Sequence, residues 1–260
     1  MKTPFGSEIL FLTAGLGEEN FANASRRVSA QIALLSPSST VLNLTNENLE
    51  SICPMVSKIY GSQLKSSVRG FGYMAWKSEI TFRAVRGDFG PYKYVVWVDS
   101  GCEVVSNFMS RLTFTRWLLL ARMRGYVFFK LTTPEEFYTK KDLFAHFANL
   151  SPNDKSGQLQ TTFFILNTSK MLDFSTLWHS KCIENLKNVD ESKSSEGEIK
   201  GFIAHRHDQS VFSLSAKSLG FTKTIRTLPN GTRGKLKYAF PVWAARNRSG
   251  GTLNSRCKTK

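Results

Sequence analysis

Residues 92–103, YKYVVWVDSGCE, constrain the fold more than any other stretch of the chain. Tyr94 to Val98 is an uncharged run of β-branched and aromatic residues, bounded by Gly90-Pro91 and by Ser100-Gly101. Such a run is the pattern of a strand buried on both faces. Asp99 stands at its carboxyl end, and a glycine two residues later lets the backbone turn sharply. In open α/β sheets ligands bind outside the carboxyl ends of the strands, which makes Asp99 the first candidate for chemistry. Taken alone, an aspartate in this position is more often a turn cap. The rest of the chain has to decide.

Strand-like and helix-like segments alternate along the 260 residues, 41% of them apolar, as expected of a single α/β domain. Glu8 to Ala14 reads as the first strand and Gly15-Leu16-Gly17 as the loop leaving it. Phe21, Ala24, Val28, Ile32 and Leu35 recur every three or four residues. They describe an amphipathic helix with Arg26 and Arg27 off its apolar stripe, ended by Ser36-Pro37. Thr40 to Leu44 is the second strand, so the chain opens on a βαβ unit. Gly15 and Gly17 begin like a dinucleotide fingerprint, but the third glycine is missing, which excludes that reading. Ser57 to Arg69 has few large apolar groups and reads as an exposed connection. Beyond it, Trp76, Ile80 and Ala84 lie at helical spacing behind a tight turn at Gly70 and Gly72, with Gly87 as the stop. Lys77 falls in the first turns of that helix, where free N–H groups and a cation can meet an anion; a plain surface lysine is the alternative.

After the central strand the pattern predicts a helix from about Asn107 to Arg124, stopped by Gly125, with Arg111, Arg116, Arg122 and Arg124 on a solvated face. It then predicts a strand at Tyr126–Leu131 closed by Pro134, a surface helix from Phe137 to Leu150, and a buried strand at Thr161–Leu166. A helix follows with Met171, Phe174, Trp178, Cys182 and Leu186 on one stripe, N-capped by Thr168 or Ser169. Residues 188–200 form a polar, low-complexity loop expected to be mobile. His205-Arg206-His207-Asp208-Gln209-Ser210 opens a last helix, which Gly220 stops. Two histidines, an arginine, an acid and an amide are costly to leave unpaired in an interior, and they exceed what an N-cap at Asp208 needs.

The formal net charge is +15, and residues 222–260 carry ten Lys/Arg and no acid. A tail of that kind attracts nucleic acid, anionic lipid or a phosphorylated ligand, or is simply a solvated terminus. No apolar run approaches the roughly 20 residues of a membrane helix. Ile9 to Leu12 is too short for a signal-peptide core. Cys53, Cys102, Cys182 and Cys257 are scattered, with no paired metal spacing. Together these features lead to the expectation of a reducing, cytoplasmic setting. There the six Asn-x-Ser/Thr sequons, Asn23 and Asn230 among them, are composition rather than glycan sites.

Three stretches resemble GT-A-type glycosyltransferases: GFGYMAWK ahead of a helix, VVWVDSGCEV, and HRHDQSVFSLSAK opening a late helix. TTFFILNTSKMLDFSTLW resembles the strand–helix segment that lies between the last two in such enzymes. The Asp-Gln pair is similar, more loosely, to glycosyltransferase family 8. The resemblance implies an α/β fold with a GT-A-like, Rossmann-related mixed sheet flanked by helices. Residues 1–221 would be the catalytic domain, and the basic segment 222–260 would complete or flank the site. The implied activity is transfer of a sugar, of hexosyltransferase type, from a nucleotide-sugar donor to a hydroxyl of a glycan, polysaccharide or glycolipid. Asp208 and Gln209 would be catalytic, facing donor sugar and acceptor and stabilising an oxocarbenium-like transition state. Lys77, Asp99, Gly101 and Arg206 would bind the donor, with Lys77 and Arg206 on its diphosphate. Enzymes of this type usually hold Mn²⁺ or Mg²⁺ through an Asp-x-Asp, and the ion neutralises the leaving diphosphate.

Here the pattern is Asp99-Ser100-Gly101, with no second aspartate. Glu103, on the same side of an extended backbone, and His205 become the candidate metal partners of Asp99, the imidazole favouring Mn²⁺. No histidine follows His207, where the family 8 pattern has a late ligand. The implied partners are the nucleotide-sugar, a glycan or lipid-linked acceptor, and peripheral contact with an anionic membrane. The aromatic residues fall in core segments rather than interleaving with Lys/Arg, so no specific nucleic acid is expected. A basic nucleic-acid-binding protein and a catalytically inactive transferase fold are the alternatives.

Overall fold

The alternating pattern resolves into a central sheet with helices on both faces. A computed structural model describes residues 6–229 and 239–251. Asn230, Cys257 and the tail cations Arg233, Lys235, Lys237, Arg256, Lys258 and Lys260 lie outside those ranges. The strands are β1 (Ile9–Gly15), β2 (Thr40–Thr45), β3 (Tyr94–Val98), β4 (Glu103–Val104) and β5 (Tyr126–Val127), then β6 (Phe129–Pro134), β7 (Gly157–Leu159), β8 (Phe163–Asn167), β9 (Ile225–Arg226) and β10 (Val242–Trp243). The helical segments are α1 (Glu19–Leu35), α2 (Leu49–Ile52), α3 (Pro54–Tyr60), α4 (Gly70–Tyr73) and α5 (Ala75–Arg86), then α6 (Phe108–Arg124), α7 (Lys141–Phe144), α8 (Leu172–Glu184) and α9 (Asp208–Ser218).

The main sheet has the order β2-β1-β3-β8-β5. β1 runs parallel to β2 and β3, while β8 is antiparallel to both β3 and β5, so the sheet is mixed. From β1 the chain steps outward to β2 and returns on the other side as β3. That reversal makes the carboxyl ends of β1 and β3 the switch point of the sheet, where a crevice for ligands is usual in such folds. Because β8 runs the other way, its approach lies beside the end of β3, and Asp99 N–H donates to Thr162 O at 3.0 Å.

β3 is buried along its whole length and divides its side chains between two cores. Val95 and Trp97 join Leu10, Leu12, Phe164 and the inner faces of α5, α8 and α9. Tyr94, Val96 and Val98 join Phe11, Phe163, Val28 and Ile32 of α1, and Phe114 and Trp117 of α6. This two-residue alternation is what a doubly covered strand requires. The C-terminal segment returns to the same body: β9 runs parallel to β6, and β10 pairs antiparallel with β4. No helix among the described residues is long and apolar enough to cross a membrane.

Several segments depart from the sequence expectation. The strand expected at Tyr126–Leu131 changes partner at Phe128, its first two residues pairing with β8 and the rest with β7 and β9. The helix expected over Phe137–Leu150 is only the four residues of α7, because Leu143, Phe144 and Phe147 turn into the core while Lys140 and Asp142 bind the 190–195 loop. That loop is tied down: Lys140 Nζ meets Asp190 Oδ1 at 3.0 Å, and Asp142 Oδ2 accepts from Ser195 N at 2.8 Å. The connection expected to be exposed from Ser57 begins inside α3, whose Val56 and Tyr60 are buried. Neither Thr168 nor Ser169 caps α8; their hydroxyls donate instead to Tyr92 O and Asn167 Oδ1.

Candidate functional site

Two helices start at the crevice, and each starts behind strained backbone. From Gly70 to Met74 five consecutive residues have positive φ, so α4 is a left-handed turn rather than the start of α5. His207, with φ 51°, immediately precedes α9. Non-glycine residues lose roughly 1 kcal/mol or more in this region. Trp76 Nε1 holds the first turn by donating to Gly70 O and Phe71 O, both at 3.1 Å. The two strained segments meet, the Tyr73 and His207 rings packing at 5.4 Å.

That arrangement delivers Lys77 from α5 and Asp208 from α9 beneath Asp99 at the end of β3. Lys77 Nζ lies 2.8 Å from Asp99 Oδ1 and 3.7 Å from Asp208 Oδ2. It is 4.9 Å from the Trp97 ring centroid, and Trp97 Nε1 also donates to Asp99 Oδ1, at 2.7 Å. Exposure separates the three groups: the side chains of Lys77 and Asp208 are 2% and 1% exposed, that of Asp99 33%. Burial works against the Lys77 charge, but Asp99 and then Asp208 together outweigh it, and its pKa lies above the ordinary lysine value. Burial raises the Asp208 carboxyl to about 6, Lys77 holding it down and Asp99 pushing it further up. Asp208 Oδ2 has no hydrogen-bond donor. The lysine is therefore not on the surface, and Asp208 is more than a cap: its side chain sits under the crevice, while Asp99 faces out of it.

Around this trio a buried amide sets the outer groups. Gln158, from β7, accepts from Gln209 Nε2 at 2.6 Å and from Arg206 Nη1 at 3.4 Å. It donates to Glu135 Oε1 at 3.0 Å. Arg206 also lies flat on Tyr138, 3.3 Å from the ring centroid. Gly101 is covered by the C-terminal segment: its carbonyl accepts from Asn247 N at 2.9 Å, and a Cβ there would stand 3.7 Å from Arg246 Cα. Arg246 also has positive φ, 53°. Among the described residues the non-glycine residues with positive φ are Phe71, Tyr73 and Met74 in the turn before α5, His207 before α9, and Arg246 beside Gly101.

Lys77, Asp99, Gly101, Arg206, Asp208 and Gln209 are thus brought together, whereas Glu103 and His205 are not. Glu103 is buried against Arg27 at 3.1 Å, Gln31 at 2.6 Å and Asn247 at 2.6 Å, because β4 leaves the turn to pair with β10. His205 spends both ring nitrogens on backbone, Nε2 on Asn188 O at 2.9 Å and Nδ1 on Lys140 N at 3.4 Å. Burial, then Lys140, lowers its pKa to about 3, so it stays neutral. His207 Nδ1 is committed to Val189 O at 2.6 Å. The two histidines anchor the 188–189 backbone rather than converge on an ion.

Sequence reasoning missed Arg27 and Gln158. Arg27 is buried and donates to Ser100 O at 2.7 Å, Cys102 O at 2.9 Å and Asn247 O at 3.1 Å, so it braces the turn that carries Asp99. A position off the apolar stripe of α1 concealed it. Gly15, set aside with the failed fingerprint, has a packing role. A Cβ there would meet Ser25 Oγ at 2.3 Å and Ala22 Cα at 2.8 Å, so it lets α1 approach β1.

A Mn²⁺ or Mg²⁺ ion needs several hard oxygen ligands converging on one point. Here Asp99 Oδ1 is already engaged by Lys77 and Trp97, and an ammonium fills the space between the two aspartates. A divalent ion within ~5 Å of that ammonium would meet a repulsion of ~7 kcal/mol at an effective dielectric of ~20. No three His, Cys, Asp or Glu side chains are gathered at one point among the described residues. The residues present do not fit the ion.

No family model and no curated protein sequence matches the chain. Among solved structures it is similar to apo mouse xyloside xylosyltransferase 1, at 12% identity over 95% of this chain and 98% of that one, with a TM-score of 0.43. It is also similar to a glycosyltransferase involved in glycosylation of the major capsid of PBCV-1, at 11% identity over 68% and 66%, with a TM-score of 0.36.

Proposed function

We propose that the crevice binds a nucleotide-sugar and transfers its sugar to a hydroxyl of a glycan, polysaccharide or glycolipid. The observation that carries this reading is the trio of Lys77, Asp99 and Asp208, assembled from three separate elements at the switch point of the sheet. In the transfer, the bond from the anomeric carbon to the diphosphate oxygen breaks, and its electron pair leaves with the nucleoside diphosphate. A bond to the acceptor oxygen forms, and the acceptor proton is released. Asp99, the most open of the three, holds a donor ribose hydroxyl, and Gln209, half-buried and oriented by Gln158, faces the sugar. Asp208 and Lys77 are both buried and act through Asp99, Asp208 on Lys77 and Lys77 on Asp99 Oδ1, which makes them positioning residues. The nucleic-acid reading loses support, since all five tryptophans are buried and none offers a stacking face.

The test is a thermal-shift panel with UDP, GDP, CMP and their common sugars. A ligand at about a hundred times its dissociation constant adds about 2.7 kcal/mol, which raises the melting temperature measurably. One nucleotide class should do so, and Asp99→Asn should reduce the shift. No shift with any of them overturns the reading.

A further inference from the structure

We infer that this chain holds the donor diphosphate with side-chain cations in place of a divalent metal: the buried Lys77 ammonium fills the space beside Asp99 that an ion would need, and Arg206 and Arg246 close on the diphosphate from outside. The inference rests on the transferase reading and deepens it. Leaving-group charge has to be neutralised somewhere, and the space between Asp99 and Asp208 is filled by an ammonium. The outer cations are placed by independent means. Arg206 is fixed by Tyr138 and Gln158, which leaves most of its five N–H donors unused. Arg246 is carried over the Asp99–Gly101 turn by the bond from Asn247 N to Gly101 O, in a backbone conformation that arginine disfavours. Burial lowers the Arg206 pKa, Tyr138 and then Glu135 support it, and Arg246 lowers it further. Neither is in an ion pair among the described residues. Guanidiniums with N–H donors to spare suit an anion, and their planar fork matches phosphate oxygens.

The experiment is isothermal titration of the full chain with UDP and with GDP, each in excess chelator and in excess Mn²⁺, beside an electron paramagnetic resonance titration of free Mn²⁺ into the protein. The expected result is a dissociation constant that agrees within about twofold in the two buffers and rises about tenfold or more in Arg246→Gln, an exposed position that leaves the fold intact. Arg206→Gln should do the same. Nucleotide binding that requires Mn²⁺, or protein-bound Mn²⁺ that Asp99→Asn releases, overturns the inference and leaves the transferase reading standing. Arg246→Gln binding as tightly as the parent also overturns it. No binding of either nucleotide in either buffer strikes the transferase reading itself.

A separate observation concerns α6. Its inner face is core, yet Phe108, Leu112, Leu119 and Met123 are exposed down the opposite side, with Arg116 between them. A helix apolar on both sides is built to be covered on both. From Val104 to Pro134 the chain carries five Lys/Arg and no acid. Exposed apolar side chains interspersed with arginines match the interface of an anionic bilayer, and the geometry points to α6 as the membrane-facing side. The test is sedimentation with phosphatidylcholine vesicles and with vesicles containing phosphatidylserine, using the parent and Met123→Asp, with circular dichroism to confirm folding. Binding only to the phosphatidylserine vesicles, weakened about tenfold in the variant, is expected. Equal binding to both vesicle types, an unaffected variant, or a dimer that the variant dissociates would each overturn the assignment.

Discussion

Replacing Asp208 with asparagine removes the carboxyl group that the fold holds furthest from its ordinary protonation, so the substitution should change how stability depends on pH. The carboxyl moves from 3.8 to about 6 on folding, chiefly through burial. A shift of about two units corresponds to about 3 kcal/mol at about 1.4 kcal/mol per unit. Because the folded pKa is raised, the native protein binds this proton more tightly than the unfolded chain. The stabilisation is fully present below about pH 4 and is lost as pH rises through about 6. Asp208→Asn cannot titrate. Its stability relative to the parent should therefore climb by about 3 kcal/mol between about pH 4 and pH 7. Lys77 stays charged throughout that window, and its attraction for the ionised carboxyl is already contained in the Asp208 shift. Urea unfolding followed by tryptophan fluorescence gives both curves, and Trp178, whose Nε1 donates to Asp208 O at 3.2 Å, is a local reporter. His205 and His179 titrate with the opposite sign but are present in both proteins, so they cancel in the difference. A flat difference curve, or one that falls with rising pH, would refute the account and mean that Lys77 keeps Asp208 ionised.

Arg27→Met should cost about 3–5 kcal/mol in the same unfolding assay, since it leaves Glu103 buried without its cation. Adding Glu103→Gln should recover part of that loss. His205, held neutral down to about pH 3 by burial, contributes stability that is present above its unfolded value of 6.5 and lost as pH falls. His205→Gln should flatten the acid limb of the stability curve. Gly72→Ala should destabilise by about 1–3 kcal/mol, read as a lowered melting temperature, because it forces a side chain onto φ 88° and its Cβ to 2.7 Å from Leu64 Cδ2.

The sequence showed the main sheet where local pattern and tertiary burial agree. β1, β2, β3, α1, α5, α6 and α9 all lie where periodicity and glycine stops put them. It failed where a residue's partner is distant in sequence. Nothing near Lys77 indicates that it is buried, because its partners are 22 and 131 positions away in Asp99 and Asp208. Arg27 misled for the same reason, being off the apolar stripe yet buried against backbone carbonyls from another loop. Glu103 was placed beside Asp99 by assuming an extended backbone, and the intervening turn, closed by Cys102 N on Asp99 O at 2.9 Å, voids that assumption. The Phe137–Leu150 segment mixed apolar and charged residues as a surface helix does, but its charges serve the neighbouring loop rather than solvent.

The distribution of unfavourable features argues that this crevice is more than a by-product of packing. Phe71, Tyr73, Met74, His207 and Arg246 together give up roughly 5 kcal/mol or more in backbone strain. Asp208 Oδ2 and His207 Nε2 are buried in the same region without hydrogen-bond partners, a further loss of roughly 1–3 kcal/mol each. A domain of ordinary stability keeps only about 5–15 kcal/mol in hand, so these losses are large on the scale of the whole fold. An apolar trio in place of Lys77, Asp99 and Asp208 would be expected to match or exceed its stability. The two cores flanking β3 can carry that deficit because they bury large aromatic side chains such as Trp97, Phe163 and Phe164 almost completely. Stability alone thus gives no reason for a charged trio behind a left-handed turn. A ligand that needs fixed charge at the ends of β1 and β3 does.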